Sequence, residues 1–260
     1  MRQRHRQGIT LLELIIGLAI ITTLMVLLTK AMTEGSDVWI RGSSSSLAQG
    51  ELRKAYQNIS YDLKRTTFDN VRRAQVPASL AGSDGDALWF LSAIDPVTEQ
   101  SMRNVDGTPL WQRNILYYLV VPDDHTRLYG YECAGSADAN GYETSCPHKI
   151  LIRKVIDNAD VDGQEALIDA GTILGYLTRP TGFDVSGMAE PGLERVDVRA
   201  HSLLTMQTSL APEPEWPNEV QVDLRAARIR SAERSVRVGS DSLQEFSFQF
   251  EFSVFPPSEP

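Results

Sequence analysis

Gly8-Ile9-Thr10-Leu11-Leu12-Glu13-Leu14-Ile15-Ile16-Gly17-Leu18 begins an apolar run that continues to Leu28 and carries one carboxylate among hydrocarbon side chains. From Ile9 to Leu28 the chain is dominated by Leu, Ile, Val, Ala and Met. At ~1.5 Å per residue this run reaches ~30 Å as a helix, enough to cross a bilayer. Arg2, Arg4 and Arg6 precede it, so the positive-inside rule predicts a cytoplasmic N-terminus and an extracytoplasmic body. A cleaved secretory signal would have a shorter apolar stretch ending in small residues of A-x-A type. Here Thr29-Lys30-Ala31-Met32 follows instead. An ionised Glu13 inside the span costs several kcal/mol on insertion scales and is normally kept for a partner or a pathway. The competing reading puts Glu13 at the interface, where it favours the positive end of the helix dipole.

The basic leader, Gly8, the bulky Ile9 and Glu13 four residues beyond it resemble the class III signal of type IV prepilins and pseudopilins. That resemblance implies cleavage by prepilin peptidase after Gly8 and N-methylation of Ile9, a position where most members carry Phe. It also implies that Glu13 pairs with the N-terminal amine of a neighbouring subunit and sets axial register during filament assembly. Each charge alone is costly in lipid, and breaking such a pair is penalised more than keeping it.

No proline occurs before Pro77, so nothing forces the helix to end where it leaves the membrane. Leu52, Tyr56, Ile59 and Leu63 recur at spacings of four, three and four within ELRKAYQNISYDLKR, which marks one apolar helical face. Gly35, Gly42 and the Ser43 to Ser46 run are the places where this helix would bend or fray. The expected plan is a leader at 1–8, a transmembrane helix at 9–28, an amphipathic continuation at 29–66 and an extracytoplasmic β-rich domain at 67–260.

Short branched and aromatic segments predict strands at Ala87–Leu91, Ile115–Val121, Leu128–Cys133 and Ile150–Ile156. Val220, Val222 and Leu224 alternate with polar residues, as do Phe246, Phe248, Phe250 and Phe252. This is the period of a strand, and the Phe face is expected to be sheet core. Gly171 to Pro217 reads as loop-rich, with one strand from Val196 to Leu204. The fold class is α+β: a long N-terminal helix packed on an antiparallel β-sheet, as in pilins.

The formal charge is −9 and falls to −12 without the three leader arginines, which speaks against bulk attraction to nucleic acid. Arg225, Arg228, Arg230, Arg234 and Arg237 form a local basic stretch, readable as a solvated hairpin or as a surface for DNA or an acidic partner. Cys133 and Cys146 are separated by 12 residues in a Gly-, Asp- and Asn-containing stretch. Outside the cytoplasm a disulfide is expected, and a loop of this size contributes ~3 kcal/mol. His148 nearby does not complete a zinc set. Asn158, Asp160, Asp162 and Asp169, with Gly163 at the sixth position, repeat the oxygen spacing of a twelve-residue calcium loop. Asp169 replaces the usual Glu, Glu165 stands at a normally apolar place, and a hydrated acidic turn is the alternative. No certain cofactor follows, with calcium the one candidate.

The sequence holds no G-x-S-x-G, Walker A or H-E-x-x-H motif, and no enzyme is expected. Within the superfamily, the ELRKAYQNISYDLKR segment, an aromatic near the membrane exit and the large β-rich body resemble the J-type minor pseudopilin of type II secretion. K-type subunits characteristically lack the acid found here at Glu13. The resemblance implies I- and K-type minor pseudopilins and the major pseudopilin as partners. It also implies a single-pass inner-membrane location with a periplasmic domain that can enter a pseudopilus. A W-type minor pilin, acting in type IV pilus initiation, adhesion or DNA uptake, is the alternative within the same class.

Overall fold

The computed structural model describes residues 10–76, 85–95, 97–122, 149–158, 164–177, 181–183, 190–226 and 248–258. The expected strand at Leu128–Cys133 lies outside them. Helix α1 spans Leu11–Leu63, and it is followed by strands β1 (Val71–Gln75), β2 (Asp86–Ser92), β3 (Arg113–Pro122), β4 (Lys149–Ile156), β5 (Thr181–Phe183), β6 (Leu193–Leu210), β7 (Val220–Ala226) and β8 (Phe248–Val254). The chain divides into two units, residues 1–44 and 45–260. Helix α1 runs through Gly35 and Gly42 without a break.

In the second unit the later turns of α1 lie on an antiparallel sheet ordered β1-β2-β3-β4-β6-β7-β8, with β5 added to β3 in parallel. Ala48, Leu52, Ala55, Ile59 and Leu63 form the buried stripe, following the helical period. Each of the larger aliphatic side chains contributes ~2 kcal/mol by leaving water. Tyr56, expected in the stripe, sits at its margin, edge-on to Phe252 at 4.8 Å and Phe250 at 5.4 Å.

Strands β2, β3 and β4 are buried on both faces, which is why their sequences run apolar without alternation. Leu88, Phe90, Ile115, Tyr117, Leu151 and Val155 face α1. Trp89, Leu116, Tyr118, Ile150 and Ile152 face a second layer built by Ile168, Ile173, Tyr176 and Leu177. This layer includes the 3-10 turn Thr172–Tyr176, within the stretch whose composition reads as loop. Its polar backbone is tied down: Trp89 Nε1 donates to Ile168 O at 2.9 Å, and the buried Lys154 Nζ donates to Tyr176 O at 2.6 Å. Lys154 also pairs with Glu190 at 2.9 Å.

Strand β6 is twice the expected length because it serves two neighbours. Its first part pairs with β4 and its second with β7, with register shifts between Lys149 and Ile152 on β4 and between Leu203 and Thr205 on β6. Ser202, at the changeover, has φ 57°. Glu51 of α1 accepts the adjacent His201 N–H at 2.8 Å. The second part of β6 reaches the start of β2, where Asp86 Oδ2 accepts Thr208 N–H at 2.6 Å. Gly85 must be glycine: its φ is +136°, and a Cβ there would lie 2.4 Å from Met206 O.

The Phe face of β8 departs from expectation. Phe252 is buried, Phe248 is partly buried, and Phe250 is 38% exposed. β8 is the last strand of the sheet, so Phe250 lies where the helix has only Tyr56 to offer it. Phe246 lies outside the described residues.

Candidate functional site

The N-terminal end of α1 carries the strongest functional signal. Leu11–Ser36 is a 26-residue stretch long and apolar enough to cross a membrane. Its large apolar side chains are exposed throughout, from 79% at Leu11 to 51% at Ile16. In water such a surface is unstable, and lipid or neighbouring helices must cover it.

Thr10 and Glu13 form a reciprocal cap at the head of this helix. Glu13 N–H donates to Thr10 Oγ1 at 3.3 Å, while Thr10 N–H and Thr10 Oγ1 both donate to Glu13 Oε2 at 2.9 Å. This is the capping box, in which the N-cap hydroxyl and the carboxylate three residues on satisfy backbone donors left by the helix start. The T-x-x-E pattern from Thr10 to Glu13 is the sequence signature of this cap. Both bonds to the carboxylate use Oε2, so among the described residues Oε1 remains for a further donor. Glu13 can therefore cap its own helix and still receive a cation. Gly8 and Ile9 lie outside the described residues.

Cys133, Cys146, Asp160 and Asp162 lie outside the described residues, as do all the basic-stretch arginines except Arg225. Asn158 follows β4, and its backbone N–H donates to Glu165 Oε1 at 3.0 Å. Asp169 uses Oδ1 to accept Gly171 N–H and Thr172 N–H and Oδ2 to accept Thr172 Oγ1. These bonds, first those from Thr172, hold its carboxyl below the usual range. Glu165 is buried and clamps Asn114 Nδ2 at 2.7 Å. Among the described residues no three metal-ligating side chains converge.

Residues 3–29 match the prokaryotic N-terminal methylation motif. The chain matches no curated protein and no solved structure. The motif implies processing by prepilin peptidase, and with the apolar helix it points to anchoring in the inner membrane. The chain is thus type IV pilin-like both in its N-terminal signal and in its helix-on-sheet architecture.

Proposed function

We propose that this chain is a minor pseudopilin of J type, an assembly subunit at the tip of the type II secretion pseudopilus. The observation that carries this reading is the coincidence of the methylation motif with Glu13 at the head of an apolar helix whose sides are uncovered in the single chain. A membrane anchor needs only the apolar run. A subunit that must enter a bundle of like helices also needs a feature that fixes its depth, and a carboxylate with one oxygen unused among the described residues supplies it. Cleavage after Gly8 would place the new amine of Ile9 at the same depth as Glu13 in a neighbour. The partners are then I- and K-type minor pseudopilins and the major pseudopilin, and the sheet domain lies in the periplasm.

Deletion of the gene tests the assignment. Secretion of type II cargo should stop while surface piliation continues, and the J-type chain should crosslink to the other minor pseudopilins. Lost piliation with normal secretion would reassign it as a minor pilin initiating a type IV pilus.

A further inference from the structure

The face of the sheet that carries α1 continues past the helix as a groove of about 460 Å³, within the range of ligand sites. Its floor crosses β2, β3, β4 and β6, about 14 Å at ordinary strand spacing. The helix side contributes Tyr61 and Arg65, with the guanidinium 3.6 Å above the ring centre.

Charge is distributed unevenly along this floor. At the β6 end Asp197 binds Arg195 at 2.8 Å and Arg199 at 2.7 Å, and Arg153 is held by Asp62 at 2.6 Å. Among the described residues three guanidiniums there share two carboxylates, and Arg199 Nε is buried without a hydrogen-bond partner. Arg195 is 56% exposed at its side chain. At the β2 end, the segment after the strand brings Asp95 and Glu99 to the groove. Asp95 accepts the Thr98 and Val97 N–H groups, which lower its carboxyl below the usual range. In the middle Arg113 is shared by Glu194 at 2.7 Å and Asp157 at 3.1 Å, so no positive charge is left over there. The groove is therefore positive at one end and negative at the other.

We propose that this groove binds a short mixed-charge segment of a partner polypeptide, with an acidic side chain at Arg195 and Arg199 and a basic one at Asp95 and Glu99. A phosphate or lipid headgroup would satisfy the arginines but gain nothing from the acidic end. An extended segment of five residues spans the ~13 Å between such side chains, and Tyr61 offers an apolar wall for its stem. The site is independent of whether the chain serves secretion or piliation.

The test uses the full chain in detergent micelles and a rhodamine-labelled, end-blocked peptide Lys-Ser-Gly-Ser-Glu, followed by fluorescence anisotropy. This peptide should bind about fivefold more tightly than either version with Gln replacing Lys or Glu. Arg195→Glu should remove the preference for the acid, and Glu99→Lys should remove the preference for the base. Both positions are exposed, so the variants should melt like the parent. Equal binding of all three peptides, no binding at about millimolar concentration, or insensitivity to both substitutions would overturn the proposal. So would displacement by an equal concentration of inorganic phosphate, which would make the groove an anion site.

Discussion

Asp62, in the last turn of α1, accepts hydrogen bonds from Arg153 Nε and Tyr117 Oη, each at 2.6 Å. One carboxylate thereby ties the helix to two adjacent strands, and burial together with the Asp62 charge pushes the Tyr117 phenol well above its ordinary range. The pair is mostly shielded from water, with side-chain exposures of 12% and 14%. Removing Asp62 leaves the buried Arg153 with the longer Asp197 contact, at 3.8 Å, and takes the acceptor from the Tyr117 hydroxyl. Asp62→Ala should therefore destabilise the Ser45–Pro260 unit by about 3 kcal/mol. Its melting temperature should fall by roughly 10 °C. A loss indistinguishable from that of an exposed control such as Lys54→Ala would show that the helix is held by its apolar stripe alone.

Glu165 gives a pH dependence. Burial raises its carboxyl above the ordinary 4.5, Asn158 and Asn114 oppose that through hydrogen bonds, and among the described residues Oε2 has no hydrogen-bond partner. The nearby Asp157 adds to the rise and Arg113 opposes it. The folded state holds this proton more tightly than the unfolded chain. Its contribution is thus complete below 4.5 and is lost as pH rises through the folded value. Glu165→Gln keeps an acceptor at Oε1 and removes the charge. Denaturation series at several pH values should find the variant more stable than the parent at neutral pH, with the gap closing toward pH 4. A gap of constant size would exclude titration as its cause.

The expectations that succeeded were local, and those that failed depended on distant partners. Leu52, Ile59 and Leu63 announce the helix through their own period, and the apolar runs of β2, β3 and β4 announce buried strands. Strand β1 was hidden because Arg72 and Arg73 fill its centre and its pairing comes from Leu88 and Trp89. The length of β6 depends on two different neighbours and a bend at Ser202. Asp62 and Arg153 are 91 residues apart, and no spacing rule links them. Glu165 occupies the eighth position of a calcium-like pattern, yet the fold uses it as a buried clamp on Asn114. At the candidate site, the position of Glu13 was readable from Gly8 onward. The cap it forms with Thr10 was readable too, as a separate four-residue pattern.

Processing should be visible by mass. Protein extracted from membranes of cells containing prepilin peptidase should begin at N-methylated Ile9. A chain that still begins at Met1 in those cells would contradict the prepilin reading.

Cys133 and Cys146 should be joined in protein recovered from the cell envelope, because the positive-inside argument puts them in an oxidising compartment. Alkylation of the unreduced, denatured chain should label neither residue. Two labelled thiols would place this part of the chain in a reducing compartment or leave the cysteines apart.

The most direct test concerns the Glu13 charge. Glu13→Gln retains a side chain that completes the capping box with Thr10, and it removes the charge that a neighbouring amine would meet. Thr10→Ala does the reverse, removing the N-cap oxygen at a cost of about 1 kcal/mol while leaving the carboxylate. Secretion should be measured in cells carrying each variant at the parent's protein level and with processing verified. Pairing between subunits predicts that Glu13→Gln abolishes or sharply reduces secretion and crosslinking to partner subunits, whereas Thr10→Ala largely preserves both. Normal secretion with Glu13→Gln would contradict the account, reducing Glu13 to a cap on its own helix.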